Sequence, residues 1–155
     1  MNQEIERKFR IDSNLLPTLK DGHIVKQAYI ETRDHTTVRV RLFDETGYLT
    51  IKGPTQGISR LEYEYPIPAS DAEDMMRNLC GDTLIEKVRY RIPFAEHVWE
   101  LDVFEGDNQG LIIAEIELAS EQEAFERPDW LAEEVSHDAR YFNSNLARHP
   151  YSRWD

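Results

Sequence analysis

Residues 4–8 read Glu-Ile-Glu-Arg-Lys, and the period of this stretch decides the fold. Glu4, Glu6 and Lys8 recur at every second position, with apolar Ile5 and Phe9 on the other side. A helix would space such residues at about 3.6 positions, so alternation marks a strand, whose successive side chains point to opposite faces. Two carboxylates and one ammonium therefore stand in a row on one face. Such a face is either washed by water or built to hold something charged.

The signature returns along the chain. VRVRL at 38–42, YLTIK at 48–52, RLEYEY at 60–65 and KVRYRI at 87–92 alternate charged or polar with apolar residues, as do WELDVF at 99–104 and IAEIEL at 113–118. Their apolar members are mostly β-branched, aromatic or leucine, as strands favour. KQAYIET at 26–32 is a further strand candidate. Turn residues separate the runs: Asp44–Gly47, Gly53-Pro54 and Gly106–Gly110, the first and last suggesting antiparallel hairpins. Ser70-Asp71 can cap a helix through Leu79, with Gly81 beyond its end. Residues 120–127, 129–134 and 138–147 read as helical, the acidic run from Glu121 to Glu134 as a solvated helix face, and a short helix can follow Ser13. The class is α+β, dominated by an antiparallel sheet.

Length and composition set the bounds. The 155 residues, 40% hydrophobic, suffice for one domain spanning 1–155 with a real core. No stretch nears the roughly 20 apolar residues of a membrane span, and the charged N-terminus lacks a signal-peptide layout. The single cysteine, Cys80, excludes an internal disulfide framework and fits a reducing cytoplasm. A net charge of −12 argues against binding to nucleic acid or an anionic membrane. Apolar residues near Tyr151 and Trp154 leave a homodimer open.

Where the charged faces point is the functional question. Antiparallel strands commonly turn one face to the core and the other to solvent. Here, however, single strands carry one sign in pairs: Arg39/Arg41, Glu62/Glu64 and Glu115/Glu117. Like charges two apart repel modestly, and solubility does not call for them. If helices cover the apolar faces, the charged faces turn inward as the sheet curls. Such a lumen is tolerable only if it is wet and holds a ligand that needs both signs. Arginine and lysine suit phosphate oxygens, and clustered carboxylates suit Mg²⁺ or Mn²⁺. The combination describes a site for a metal-bound polyphosphate. Rival chemistries lack their residues: the five histidines have no zinc spacing, and there is no P-loop lysine, GxGxxG or nucleophile elbow.

The ordered series resembles the CYTH proteins, also called triphosphate tunnel metalloenzymes. It comprises the ExExK of Glu4, Glu6 and Lys8; the RxR of Arg39 and Arg41; Lys52; the ExE of Glu62 and Glu64; the KxR of Lys87 and Arg89; Asp102; and the ExE of Glu115 and Glu117. The resemblance implies a closed eight-stranded antiparallel β-barrel with helices packed outside, a helical tail and a charged tunnel. It implies a metal-dependent hydrolase cleaving a phosphoanhydride of a triphosphate, most closely inorganic tripolyphosphate. Lys8, Arg39, Arg41, Lys52, Lys87 and Arg89 would grip phosphate oxygens. Glu4, Glu6, Glu62, Glu64, Asp102, Glu115 and Glu117 would hold one or two Mg²⁺ or Mn²⁺ ions, one bridging phosphates and a second holding the attacking water. Glu4, Glu6, Lys8, Glu62 and Glu64 would form the catalytic centre. The alternatives are an adenylate cyclase of the same fold, yielding cyclic AMP, and a non-catalytic polyphosphate- or nucleotide-binding module.

Overall fold

The computed structural model describes residues 2–154. Nine strands account for its sheet: β1 (Gln3–Ile11), β2 (His23–Ile30), β3 (Thr37–Phe43), β4 (Thr46–Lys52), β5 (Ser59–Ile67), β6 (Ile85–Phe94), β7 (His97–Phe104), β8 (Ile112–Glu117) and β9 (Leu131–Glu134). All pairings are antiparallel, in the order β5-β4-β3-β2-β6-β7-β8-β1-β9. A further pairing of β1 with β5, through Gln3, Glu4 and Ile5, joins the ends and closes an eight-stranded barrel. Strand β9 is the addition. It takes the same edge of β1 one turn further on, opposite Phe9 and Ile11.

Every alternating run became a strand, and the turn chemistry explains the hairpins. Between β3 and β4 the chain reverses at Asp44, whose φ of 52° is left-handed backbone that aspartate tolerates better than most residues. Its carboxylate accepts the Ile24 N–H at 2.9 Å and meets His23 Nδ1 at 2.7 Å, which ties the hairpin to β2.

Helix α1 (Ala69–Leu79) forms where expected but begins earlier: Pro68 is its N-cap, without a side-chain hydrogen bond, and Ser70 and Asp71 fall in the first turn instead of capping it. It packs on the outer faces of β3 and β4, where Ala72 and Cys80 are buried with Ala28 and Val40, and Leu42, Leu49, Met75 and Met76 close around them. A 3-10 turn at Ser13–Leu15 matches the short helix after Ser13.

The C-terminal third departs from the helical expectation. Residues 120–127 form no helix, and the segment at 129–134 contains strand β9. Tertiary contacts override the local preference there. Arg7 pairs with Glu134 at 2.8 Å and Arg10 with Glu133 at 2.9 Å, so the acidic run is an ion-paired edge and not a solvated helix. Upstream, irregular chain brings Phe125 and Trp130 onto the outer face, where their rings stack edge-on with Phe9 and Trp99 at 5.7–6.0 Å. Coil thus covers a face expected to lie beneath helices. The span expected as helix at 138–147 reduces to a 3-10 turn at Ala139–Tyr141 and the single turn α2 (Asn143–Leu146). The outer face of β5 is left bare, with Leu61, Tyr63 and Tyr65 exposed.

One end of the lumen is apolar. Tyr29, Ile85, Phe104 and Ile113 share the inward parity of the charged residues, and Val135, Tyr141 and Leu146 pack upon them. Tyr151 and Trp154, both half-buried, pack against this plug, Trp154 meeting Tyr141 at 5.0 Å. No helix among the described residues is long and apolar enough to cross a membrane.

Candidate active site

Above the plug, the inward charges surround a cavity of about 490 Å³. Register puts opposite signs side by side. Lys52 pairs with Glu62, Lys8 with Glu115, Arg89 with Asp102, Arg91 with Glu100 and Glu4 with Arg60. Glu4, Glu6, Lys8, Arg39, Arg41, Lys52, Glu62, Glu64, Arg89, Glu115 and Glu117 all line this cavity. Residues scattered from 4 to 117 thus converge because eight strands share one inward face.

The cations differ in how they are held. Lys52 lies 2.9 Å from Glu4 and 3.2 Å from Glu62, and Arg60 lies 3.4 Å from Glu4. Arg39 reaches Glu64 and Thr50 only at 3.4 and 3.3 Å, while its Nε is buried with no partner. A buried donor left unpaired is costly unless a ligand completes it, and a phosphate oxygen is of the right kind. Arg41 forms no ion pair among the described residues. Its Nε donates to Gln27 Oε1 at 2.9 Å. Burial, with repulsion from Arg39 and Arg89, pulls Arg41 down to about 9, which still leaves it cationic at neutral pH. Lys8 Nζ donates to the Tyr141 carbonyl at 3.1 Å and stands 5.7 Å from the centre of the Phe142 ring.

Four of the lining carboxylates stand in two pairs, Glu6 with Glu115 and Glu62 with Glu4. Burial, then Glu115 and Glu4, push Glu6 well above the usual carboxylate range. For Glu115 burial acts the same way, but Lys8, the hydrogen bond from Glu6 and Arg89 outweigh it and hold the group well below that range. Glu62 rises to about 7 through burial and its hydrogen bond with Glu4. Glu4, though buried, is held far down by Lys52, Glu62 and Arg60. Glu117 is raised by burial and by Glu4 and Glu100. In each pair one member is raised and the other lowered, and a multivalent cation would relieve the same repulsion. Among the described residues no three such groups yet stand close enough to enclose an ion. The donor set is nonetheless of hard carboxylate oxygens, and it fits Mg²⁺ or Mn²⁺.

Two expected site residues lie elsewhere. Asp102 has no exposed surface and does not line the cavity, so it is not placed as a metal ligand. It accepts Arg89 Nε and Nη2 at 2.8 and 2.9 Å and pairs with Lys87 Nζ at 2.7 Å. Burial would raise its pKa, but Arg89 and Lys87 override that and keep it ionised. Lys87 is likewise sealed beneath the floor, not open to phosphate. It donates to Asn143 Oδ1 at 3.1 Å, and burial draws it down to about 7 against the pull of Asp102.

Other lining residues went unread in the sequence. Thr37 and Phe43 share the parity of Arg39 and Arg41, and Tyr48 that of Lys52, so alternation could have found them. Ser136 and Phe142 arrive from irregular chain and Asn143 and Ser144 from the single turn α2, none of which carries such a signal.

The pattern of a CYTH domain matches residues 2–151. The chain belongs to the CYTH family. An inorganic triphosphatase of Acetivibrio thermocellus is 47% identical over 154 residues, 99% of each chain. An inorganic triphosphatase of Nitrosomonas europaea is 37% identical over 153 residues, covering 93% of this chain and 96% of the relative. A crystal structure of an inorganic triphosphatase superposes with a TM-score of 0.67 at 32% identity, covering 92% of this chain and 96% of the other. In this CYTH chain the charged residues of the ordered series, apart from Lys87 and Asp102, line the cavity.

Proposed function

We propose that this CYTH protein is a divalent-metal-dependent triphosphatase whose preferred substrate is inorganic tripolyphosphate. The observation that carries the reading is the split lining of the tunnel: Arg39, with its Nε unpartnered, and Arg41, held by an amide, face a cavity lined by Glu4, Glu6, Glu62, Glu115 and Glu117. The two family relatives named inorganic triphosphatases support the choice of substrate.

In the hydrolysis, water attacks a terminal phosphorus, the bond to the bridging oxygen breaks, and orthophosphate and pyrophosphate result. Such a reaction asks the protein mainly for positioning and charge neutralisation. Arg39 and Arg41 bind non-bridging oxygens, the first through its orphaned Nε. Lys8 and Arg89 flank them, Arg89 being aimed from below by Asp102, which leaves Asp102 and Lys87 as the support of the site. Lys52 stands at the boundary between phosphate and carboxylates. Glu64 fixes Arg39 and Thr50, the latter donating to it at 2.9 Å. Glu4, Glu6, Glu62, Glu115 and Glu117 would hold the divalent ion, which supplies charge neutralisation and a more acidic bound water.

The test is phosphate release from tripolyphosphate and from ATP, with Mg²⁺, Mn²⁺ and Ca²⁺ in turn and cyclic AMP analysed alongside. Metal-dependent phosphate release that a Glu4→Gln/Glu6→Gln variant loses is the expected result. Cyclic AMP as the product would make the protein a cyclase, and binding without turnover would make it a module.

A further inference from the structure

Among the described residues, the other arginines that line the tunnel each have a carboxylate within ion-pairing distance: Arg39 has Glu64, Arg60 has Glu4, Arg89 has Glu100 and Glu115, and Arg91 has Glu100. Arg41 is held by an amide instead. Gln27 is its direct register partner across β2 and β3, has no exposed surface and does not line the cavity. Its orientation is forced, because Arg41 Nε can only donate and so requires the amide oxygen. The amide nitrogen then donates to the Tyr29 hydroxyl at 2.8 Å. With Nε occupied, the guanidinium is fixed, while its two terminal nitrogens make no hydrogen bond among the described residues and face the cavity.

We propose that Gln27 is a positioning residue that aims Arg41 without giving it a counter-charge, so that the charge of Arg41 is kept for a phosphate of the substrate. This rests on the triphosphatase reading. The argument turns on what a glutamate would do at the same place. It has nearly the same shape, would accept the Arg41 N–H at the same point, and would be satisfied on its other oxygen once the Tyr29 hydroxyl rotated to donate. It would also make the stronger, charge-assisted bond, so stability alone favours glutamate over glutamine. A glutamate would, however, neutralise Arg41 before the substrate arrived. The neutral amide gives direction and leaves the charge intact, and in a tunnel crowded with carboxylates that distinction separates Arg41 from its neighbours.

The experiment compares Gln27→Glu and Gln27→Met with the parent. It measures melting, Mn²⁺ affinity, KM and kcat for tripolyphosphate, and tripolyphosphate binding by calorimetry in EDTA. For Gln27→Glu the expected result is a melting temperature no lower than the parent's, unchanged Mn²⁺ affinity and KM raised at least tenfold. Gln27→Met leaves Arg41 charged but untethered, and its KM rises by less. A Gln27→Glu variant with the parent's KM overturns the inference, as does one whose only defect is a lowered melting temperature. Should glutamate prevent folding, Gln27→Met carries the test, and a KM within twofold of the parent's overturns the proposal. A parent that neither binds nor hydrolyses tripolyphosphate would instead overturn the triphosphatase reading.

Discussion

Replacing Asp102 by asparagine tests the claim that this carboxylate supports the site from beneath. The side chain is fully buried and accepts contacts of 2.7, 2.8 and 2.9 Å from Lys87 and Arg89. Asparagine keeps the shape but leaves the Arg89 cation without its counter-charge, while Lys87, already drawn down to about 7 beside Asp102, is pushed further toward its neutral form. Breaking a buried ion pair from one side costs about 3–5 kcal/mol, the remaining charge having lost its compensation. For a chain of this size each kcal/mol moves the melting temperature by about 2–4 °C, so a fall of roughly 10 °C follows. Thermal unfolding by circular dichroism, backed by urea titration, reads it directly. Kinetically, an unmoored Arg89 should raise KM for tripolyphosphate without changing the metal concentration needed for half-maximal rate. A variant that melts with the parent and differs only in its metal requirement would refute the reasoning and make Asp102 a ligand.

Further expectations follow from the same geometry. Metal binding near neutral pH should release protons, because Glu6 and Glu62 hold theirs beyond the usual carboxylate range; calorimetry in buffers of different ionisation enthalpy measures it, and no release would contradict the paired-carboxylate account. The sign for the metal-free protein follows from the raised folded pKa of Glu62: its contribution to stability is present below the ordinary carboxylate pKa and is lost as pH rises toward about 7, so urea midpoints should fall across that window and the fall should vanish with saturating Mg²⁺. Gly47→Ala would set a methyl 2.8 Å from the Ile67 carbonyl oxygen and should cost about 1–3 kcal/mol, read as a lowered urea midpoint. Phe9→Ala empties the centre of the outer aromatic cluster and should cost about 3–5 kcal/mol while KM for tripolyphosphate stays at the parent's value.

The barrel was legible because the side-chain period of a strand is two and paired charges follow it on most of the strands between Glu4 and Glu117, β2 being the exception. Inwardness followed from pairs such as Arg39/Arg41, which a solvated face does not need. Depth was not legible. Asp102 and Glu115 look alike in sequence, yet Asp102 is fully buried between Arg89 and Lys87 while Glu115 lines the cavity. The segment after Leu118 misled for a different reason. Its glutamates suit a helix locally, but Arg7, Arg10 and the aromatic face at Trp99 lie far away in sequence and draw it into strand and coil. Gln27 gave no sign at all, since a neutral residue on a polar strand face draws attention only when its neighbour is seen to lack a counter-ion.

The threading of β1 between β5, β8 and β9 has a consequence for biosynthesis. The strand bearing Glu4, Glu6 and Lys8 leaves the ribosome ahead of its partners near residues 60, 115 and 133, which come progressively later. Until they emerge, the N-terminal glutamates have no wall to stand in, and the nascent sheet keeps an open edge. Pairings of such long sequence separation are slow to form. A nascent chain therefore cannot assemble the complete site, and a ribosome-bound chain stalled before residue 113 should have no competent tunnel.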